Sequence, residues 1–366
     1  MDIFSKPTLL LNETTCRANI EFMSAKALKL GIGLRPHFKT HQSIEVGRWF
    51  RDNGIGKIAV SSVPMAQYFA SDGWNDITVA FPYVDQQADE VNALAKSINL
   101  QVLVSSLGNA KLLSKSMKNR VDVYIEIDAG QYRSGLQVED FGTIDKTIEV
   151  ILSNPNTNFR GFLSHAGHSY NNHLNKIAQI NTEVTSKLNQ LKNSYIKQFP
   201  SLKISYGDTP TSWTCEQFDG IDELRPGNYT FFDMQQASNG ICSTRNIAIA
   251  LVCPVVAVYP ERSRAIIWGG AVHLTKDFYT DNDGNRSFGA VCKLNPDYTW
   301  AKPIEGMYLE SISQEHGVVR TKNCKAIKSL KEGDLIAVLP PHSCLTADKM
   351  GKFWVQGKGF VPMMKS

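Results

Sequence analysis

The sequence predicts a (β/α)8 barrel followed by a separate β-rich domain, and three observations lead to this prediction. Short apolar segments alternate with helical segments in the first two thirds of the chain. Several of these apolar segments lack a two-residue alternation, as is typical of parallel strands covered on both faces. From about Asn246 the helical period is lost, and Gly, Pro and Asp-Gly turns separate short strands. We therefore expect the barrel at residues 12–245 and the β domain at residues 246–366.

The barrel is expected to contain eight strands with helices between most of them. The strands are predicted at residues 32–39, 58–62, 77–82, 101–105, 121–128, 159–165, 202–207 and 223–229. The helices are predicted at residues 43–53, 65–72, 86–98, 109–119, 141–153 and 176–197. The alternative is an open, doubly wound sheet that binds a dinucleotide, but no Gly-x-Gly-x-x-Gly follows the first strand. In the β domain, strands are predicted at residues 248–259, 265–269, 287–294, 306–312, 335–339 and 353–362.

Composition limits the class of function. The chain has 366 residues, and its formal net charge is only +4. No long run of Lys and Arg favours a nucleic-acid or membrane partner, and no apolar run reaches the roughly 20 residues that span a bilayer. The N-terminus lacks the pattern of a signal peptide, and the seven scattered cysteines are typical of reduced thiols. We expect a cytoplasmic protein that binds neither nucleic acid nor membrane.

Lys39 is the first candidate for chemistry. It ends the first predicted strand, one residue after Phe38, so the stem of its side chain is expected to be buried. Burial disfavours the charged amine, which lowers its pKa and frees it for Schiff-base chemistry. The alternative is a lysine that extends from the strand end into solvent, as most lysines do.

Further candidates end later strands or follow them directly, on the face where barrels build active sites. They are Asp128, Arg133, His165, Gly207 and Tyr229. Two glycine turns follow the last two strands, at residues 207–209 and 227–229, where barrels commonly place a phosphate. Glycine lets backbone N–H groups approach a phosphate closely. The residues alone leave open whether these are phosphate sites or ordinary turns.

His342 and Cys344 form a candidate metal site. An imidazole and a thiolate one residue apart can bind one ion where the backbone is extended or turning, and nitrogen with sulfur suits Zn²⁺. Two protein ligands leave positions for water and substrate, as in a catalytic site. Most His-x-Cys pairs are structural, so the spacing alone does not decide.

Six segments lie in order along nearly the whole chain: RPHFKTH (35–41), EIDAGQYRSG (126–135), SHAGHSY (164–170), GDTPT (207–211), RPGNY (225–229) and HSCLT (342–346). Together they resemble a metal-activated family of pyridoxal 5′-phosphate (PLP) enzymes that contains D-serine dehydratases and D-threonine aldolases. The resemblance implies an alanine-racemase-like fold, with the N-terminal strand, residues 1–11, added to the β domain. It also implies a homodimer in which the β domain of one subunit faces the barrel mouth of the other.

The resemblance assigns roles to the candidate residues. Lys39 and Tyr170 are the expected catalytic residues, with Lys39 bound to PLP and Tyr170 close to the cofactor on the opposite face. Arg133 is expected to reach the phenolic oxygen of PLP, and His165 to pack against its ring. The expected phosphate ligands are Gly207, Asp208, Thr209, Gly227, Asn228 and Tyr229. Asp208 departs from the small hydroxyl residue common in the family, so its carboxylate is expected to point away from the phosphate and leave its N–H to bind.

From the residues alone, Arg133 also fits a surface salt bridge, and His165 and Tyr170 fit structural roles. The resemblance makes His342 and Cys344 the metal ligands. A cysteine at the second ligand position is similar to the dehydratase branch, whereas the aldolase branch typically carries aspartate. His168 and His173 are expected to be solvated. His316, in a family-like segment, is expected either to orient a metal ligand or to cap a turn.

The expected function is a PLP- and Zn²⁺-dependent lyase that eliminates water from a D-β-hydroxy amino acid, such as D-serine to pyruvate and ammonia. Other divalent ions are alternatives to Zn²⁺. One alternative activity is retro-aldol cleavage of D-threonine, and another is dehydration of D-threo-3-hydroxyaspartate. A racemase is less favoured because metal ligands have no task there. A non-enzymatic PLP-homeostasis protein needs neither the β domain nor the pair of metal ligands.

Overall fold

The computed structural model describes residues 4–281, 283–322 and 324–364. The chain divides into two units, which we call the barrel unit (residues 22–39 and 47–227) and the β unit (residues 1–21, 40–46 and 228–366). The predicted domain boundary between residues 245 and 246 lies inside the β unit and stays a prediction. No helix in the described ranges combines the length and the apolar character needed to cross a bilayer.

The barrel unit contains nine parallel strands, eight of which form one continuous sheet. In chain order, after the N-terminal strand β1 (Thr8–Leu11), the strands are β2 (Gly33–Leu34), β3 (Ile58–Val60), β4 (Asp76–Pro82), β5 (Asn99–Val104), β6 (Val121–Asp128), the short β7 (Leu136–Gln137), β8 (Thr157–Ser164), β9 (Lys203–Tyr206) and β10 (Glu223–Leu224). Their hydrogen-bonded order is β2-β10-β9-β8-β6-β5-β4-β3, with β7 paired to β6. A parallel bridge from His37 to Ala59 closes the barrel. The predicted eight-stranded barrel is therefore confirmed.

Helices connect these strands. They are α1 (Glu13–Lys29), α2 (Ile44–Arg51), α3 (Val63–Ala70), α4 (Ala88–Ala95), α5 (Leu107–Ser116), α6 (Phe141–Leu152), α7 (Leu174–Tyr195) and α8 (Thr209–Thr214). Several begin at a side chain that accepts a hydrogen bond from a backbone N–H of the first turn, namely Ser62, Ser106, Asp140 and Asp208. The sequence analysis predicts six of these helices but neither α1 nor α8.

The first and last barrel strands are shorter than predicted. β2 ends at Leu34 and β10 ends at Leu224, and each is followed by a 3-10 turn, Phe38–Thr40 and Asn228–Thr230. The prediction that Lys39 and Tyr229 end strands is therefore wrong. The physical reason is a proline two residues after each strand, Pro36 and Pro226, which has no N–H to donate to a sheet.

The β unit is a mostly antiparallel sheet. Its further strands are β11 (Ile249–Tyr259), β12 (Arg264–Trp268), β13 (Tyr279–Thr280), β14 (Arg286–Ser287), β15 (Ala290–Leu294), β16 (Trp300–Ile312), β17 (His316–Thr321), β18 (Leu335–Leu339), β19 (Lys352–Val355) and β20 (Gly359–Pro362). The strand order is β12-β17-β16-β15-β18-β11-β1-β19-β20, and β12 also pairs with β11, so six strands close on themselves. The N-terminal strand β1 pairs antiparallel with β11.

The core of the β unit is apolar, and fully buried side chains include Leu251, Ile267, Val291, Leu309, Val319 and Val338. The unit also contains the helices α9 (Met234–Ser238), α10 (Ala271–Leu274), α11 (Cys324–Ile327) and α12 (Ser343–Met350). The β-rich character predicted for this part of the chain is confirmed. Strands β13 and β17 and the helices α9 to α12 were not predicted.

Candidate active site

Lys39 lies in a tightly anchored turn of the barrel unit. The preceding residue, Phe38, is fully buried, and its ring packs at 4.9 Å from that of Phe69 and 5.1 Å from that of Trp74. The backbone N–H of His37 donates to the carbonyl of Pro226 at 2.9 Å. Lys39 itself is exposed. The expectation that its stem is buried is therefore wrong, because the strand ends early and the turn brings Lys39 to the surface of the unit.

His165 was predicted to end its strand, and it lies one residue after β8, which ends at Ser164. Its Nδ1 lies 2.5 Å from the carbonyl oxygen of Gly207. Because a carbonyl only accepts, Nδ1 carries the hydrogen and Nε2 does not. Burial lowers the pKa of His165 to about 3, and the positive charge of Lys39 acts in the same direction. His165 is thus neutral, and its hydrogen bond to Gly207 fixes the orientation of its ring.

The turn after β9 is held by a buried carboxylate. Asp208 caps α8, and its Oδ1 accepts hydrogen bonds from the N–H of Thr211 at 2.8 Å and from the hydroxyl of Ser169 at 2.7 Å. Burial raises the pKa of Asp208 to about 6, against these hydrogen bonds. The phenol oxygen of Tyr170 accepts from the N–H of Thr209 at 3.2 Å. The structure therefore brings Tyr170 to the predicted phosphate turn.

Gly207 allows this turn to approach the next strand. A Cβ atom added to Gly207 would lie 2.5 Å from the backbone nitrogen of Arg225. No side chain fits there without a shift of backbone. The guanidinium of Arg225 is buried and donates to the carbonyl of Ser164 at 2.7 Å and to the hydroxyl of Ser205 at 2.8 Å. Arg225 thus connects the ends of neighbouring strands beneath the turn.

Arg133 lies in the loop after β6. Its Nη2 is 3.8 Å from Oε1 of Glu126, and its side chain is half exposed, so this is a weak ion pair. Burial raises the pKa of Glu126, whose Oε1 also accepts from the hydroxyl of Ser134 at 2.9 Å. Oδ1 of Asp128 accepts three backbone N–H groups of this loop, from Gly130 to residue 132, at 2.9 to 3.0 Å. Asp128 therefore shapes the loop that carries Arg133.

His342 and Cys344 come together in the β unit at the start of α12. His342 occupies the cap position, and Cys344 lies in the first turn. The pair is thus built on a helix start, which the sequence analysis did not predict. Burial alone would lower the pKa of His342, but the Cys344 thiol and the carboxylates of Asp233 and Asp277 raise it to about 10. The imidazole and the sulfur therefore interact directly.

Polar partners surround this pair. Nδ1 of His342 lies 2.8 Å from Oδ2 of Asp277. Sγ of Cys344 lies 3.4 Å from Oγ1 of Thr40 and 3.6 Å from Nδ2 of Asn228. None of these three partners was predicted to contact the pair, and only Asn228 was among the candidate residues. In the described parts of the chain, no group of three or more His, Cys, Asp and Glu side chains is arranged to hold a metal ion. His342 and Cys344 thus offer two donors, one nitrogen and one sulfur.

Of the second predicted phosphate segment, Asn228 and Tyr229 lie in the β unit and Gly227 lies in the barrel unit. Asn228 and Tyr229 are buried in the 3-10 turn Asn228–Thr230. The Nδ2 of Asn228 donates to Oδ2 of Asp233 at 2.7 Å, and burial raises the pKa of Tyr229 well above its usual value. Gly207, Asp208 and Thr209 belong to the barrel unit. The residues predicted to bind the phosphate are therefore divided between the two units.

Three histidines of the sequence analysis lie outside these groups. His168 is partly buried, which lowers its pKa, so the expectation that it is solvated is wrong. His173 precedes α7 at its cap position. His316 is exposed and begins β17. A Cβ atom added to Gly130 would lie 3.6 Å from the ring of His168, so this histidine packs beside the loop that carries Arg133.

Comparison with known proteins identifies the family. Residues 11–235 match the family described as alanine racemase, N-terminal domain, and residues 248–356 match the putative serine dehydratase domain. Because the first match covers more than half of the chain, this chain belongs to the alanine racemase N-terminal domain family. The resemblance drawn from the six segments is therefore confirmed, together with the fold that it implied.

Individual relatives are similar over almost the whole chain. A D-serine dehydratase of Dictyostelium discoideum is 28% identical over 386 residues, 95% of this chain and 92% of its own. A D-threo-3-hydroxyaspartate dehydratase of Delftia sp. (strain HT23) is 26% identical over 351 residues, which cover 93% of this chain and 91% of its own. A D-threonine aldolase of Arthrobacter sp. is 25% identical over 348 residues, which cover 92% of this chain and 85% of its own.

Solved structures show the same fold. The structure of D-threo-3-hydroxyaspartate dehydratase from Delftia sp. HT23 matches 99% of this chain and 98% of its own with a TM-score of 0.90 at 23% identity. An alanine racemase-like protein from Idiomarina loihiensis matches 100% and 98% with a TM-score of 0.88 at 25% identity. The barrel and the β-rich part are therefore shared along the whole length.

Proposed function

We propose that this chain is a PLP-dependent lyase that eliminates water from a D-β-hydroxy amino acid, converting D-serine to pyruvate and ammonia. The names of the relatives, two dehydratases and one aldolase, support this class of reaction. One observation carries the proposal for this chain. The sulfur of Cys344 contacts the hydroxyl of Thr40 at 3.4 Å, and Thr40 is joined by a peptide bond to Lys39. Thr40 thus belongs to the lysine motif in the sequence and contacts the candidate metal ligand in the β unit.

Lys39 is the proposed cofactor and base residue. Bound PLP supplies an electron sink for the α-carbon of the substrate. The amine of Lys39 would hold the cofactor through its aldehyde group, and the same amine, when free, would serve as the base for the α-proton of the substrate. The exposure of Lys39 in the barrel unit leaves its amine accessible to a cofactor.

The residues around Lys39 fit the cofactor. The neutral ring of His165 can pack against an aromatic ring without adding charge. Arg133, only weakly paired to Glu126, can turn its guanidinium to a phenolic oxygen. The turn of Gly207, Asp208 and Thr209 is proposed to hold the phosphate, and Gly227, Asn228 and Tyr229 are proposed to complete the site. Tyr170, which accepts from Thr209, is proposed as the second catalytic residue.

His342 and Cys344 are the proposed metal ligands. Imidazole nitrogen and thiolate sulfur are the donors that Zn²⁺ prefers, and two protein donors leave coordination positions for a substrate. Bound Zn²⁺ would act as a Lewis acid on the β-hydroxyl group and make hydroxide a feasible leaving group. The carboxylate of Asp277 accepts a hydrogen bond from Nδ1 of His342, so Nε2 is the nitrogen proposed to bind the ion.

A second candidate function is dehydration of D-threo-3-hydroxyaspartate. The relative with that name is 26% identical to this chain, close to the value for the D-serine dehydratase. Retro-aldol cleavage of D-threonine is less favoured because Cys344 stands at the ligand position where the aldolase branch typically carries aspartate. A PLP-homeostasis protein is disfavoured because the chain carries the β-rich part with its His342 and Cys344 pair. We further propose a cytoplasmic homodimer and keep the domain boundaries 12–245 and 246–366, with strand 1–11 in the β domain.

The deciding experiment incubates purified, PLP-loaded protein with D-serine, D-threonine and D-threo-3-hydroxyaspartate, with and without a metal chelator. Oxo acid, ammonia, glycine and acetaldehyde are measured separately. We expect pyruvate and equimolar ammonia from D-serine, lost with chelator and restored by Zn²⁺. Oxaloacetate as the dominant product would favour the second candidate. Glycine and acetaldehyde from D-threonine would contradict the dehydratase proposal.

A further inference from the structure

We infer that Thr40, Asn228 and Asp277 form an outer shell that sets how strongly His342 and Cys344 bind a metal ion. This inference rests on the proposed function, because it presupposes that the pair binds an ion. It goes further in assigning a positioning role to residues that the sequence motifs leave without one. Each of the three contacts lies within the β unit.

Thr40 is a hydrogen-bond donor to the metal-binding sulfur. Its side chain is fully buried, and Oγ1 lies 3.4 Å from Sγ of Cys344. A metal-bound cysteine is a thiolate and has no hydrogen, so the hydroxyl of Thr40 must donate. The β-branched side chain has few rotamers, and its place in the turn Phe38–Thr40 fixes it further. The hydroxyl is therefore pre-oriented toward the sulfur.

Asn228 is the second donor to the same sulfur. Its Nδ2 lies 3.6 Å from Sγ of Cys344, 2.7 Å from Oδ2 of Asp233 and 3.0 Å from Oγ of Ser343. The Asp233 carboxylate can only accept when ionised, which requires the amide nitrogen, and not the oxygen, on this side. Asp233 also accepts from the N–H of Ser343 at 3.0 Å. The orientation of the amide is thus fixed by the same carboxylate that holds the start of α12.

Asp277 orients the imidazole. It lies between α10 and β13, and its Oδ2 is 2.8 Å from Nδ1 of His342. The carboxylate accepts, so Nδ1 carries a hydrogen, and Nε2 would hold the ion after giving up its own proton. A carboxylate on the far nitrogen of a ligating histidine fixes the ring and raises its basicity. Asp277 thus acts on the metal through His342 and does not need to touch it.

The two kinds of contact predict different effects. Hydrogen bonds to a thiolate lower the energy of its lone pairs, so their loss moves a sulfur-to-metal charge-transfer band to longer wavelength. The carboxylate on His342 acts on the nitrogen and leaves that band in place. Both contacts support affinity, and the loss of such a partner typically weakens metal binding by about 10- to 100-fold.

The test uses metal-free protein titrated with Co²⁺, whose thiolate charge-transfer band reports on the sulfur, and with Zn²⁺ in competition with a chromophoric chelator. The variants are Thr40→Val and Asp277→Ala, and Thr40→Ser is the matched control that keeps the hydroxyl. We expect Thr40→Val to weaken binding by about 10-fold or more and to shift the band to longer wavelength. We expect Asp277→Ala to weaken binding by a similar factor without the shift, and Thr40→Ser to match the wild type.

The outcomes separate the two proposals. If wild-type protein and Cys344→Ala give the same Co²⁺ spectrum, the metal site itself is absent, and both the proposed function and this inference fail. If the wild type shows a band that Cys344→Ala lacks, but Thr40→Val keeps its position and affinity, only the outer-shell inference is overturned. Should Thr40→Val not fold, as judged by circular dichroism, Thr40→Ala replaces it with the same expected shift.

Discussion

Oε1 of Glu223 lies 2.9 Å from Nε of Arg35, and both side chains are almost fully buried in the barrel unit. Lys57 reaches the other carboxylate oxygen at 2.7 Å. Burial alone would raise the pKa of Glu223, but the charges of Arg35 and Lys57 outweigh burial and hold the pKa at about 2. Glu223 is therefore ionised at every pH at which the protein is expected to work.

Glu223→Gln is expected to destabilise the protein by about 3 kcal/mol at pH 7, because it removes the buried carboxylate that pairs with Arg35 and Lys57. The folded pKa of about 2 lies below the ordinary 4.5. The contribution of Glu223 is thus complete above pH 4.5 and is lost as the pH falls toward 2. Urea unfolding at pH 7, 5 and 4 should show the difference from wild type beginning to shrink at the acidic end.

Asp89→Asn is the matched control for Glu223→Gln, because its ion pair with Lys118 is exposed and 3.9 Å long. It should change the free energy of unfolding by less than about 0.5 kcal/mol at each pH. An equal effect of the two substitutions would refute the account of the buried network.

Gly207→Ala is expected to disturb the proposed phosphate turn. The added methyl group would lie 2.5 Å from the backbone of Arg225, so the turn must shift. We expect a loss of about 1–3 kcal/mol in the free energy of unfolding and weaker PLP binding, measured by absorbance titration. Gly56→Ala is the control, because no heavy atom lies within 4 Å of its added Cβ. Unchanged PLP affinity in Gly207→Ala would argue against this turn as the phosphate site.

Cys344→Ala is expected to abolish metal binding and to leave PLP binding intact. Removing the thiolate should abolish Zn²⁺ binding and lower turnover of D-serine by at least about 100-fold, since Lewis-acid assistance is worth several kcal/mol. The yellow PLP absorbance should persist, because Lys39 is untouched. Cys292→Ala, at a buried cysteine of β15, is the control and should keep both metal and turnover. Turnover that survives in Cys344→Ala would show that the metal assignment is wrong.

The sequence predicted the elements whose signal is local. The barrel strands are apolar runs, and each was found at its predicted place to within a few residues, apart from the shortened first and last strands. Helix α1 was not predicted because its buried face contains Asn19 and Lys26 beside Ile20 and Met23, which dilutes the apolar period. Tertiary hydrogen bonds compensate those polar groups, and a sequence does not display them.

The candidate site was predicted less completely. The helix start at Ser343 was not predicted because the segment after Pro341 has too few apolar residues to show a period. Asp277 lies 65 positions from His342, and only the fold brings the two together. Thr40 follows Lys39 in the lysine motif, so the sequence alone could have indicated that Thr40 lies near the site. The pKa argument for Lys39 relied on a strand end that Pro36 prevents.

The most direct test of the central claim is borohydride reduction of the PLP-loaded protein, followed by digestion and mass spectrometry of the labelled peptide. We expect the pyridoxyl group on Lys39, its absence in Lys39→Ala, and its retention in the control Lys29→Ala, at an exposed lysine of α1. A label on another residue, or no label on a protein that has bound PLP, would contradict the account.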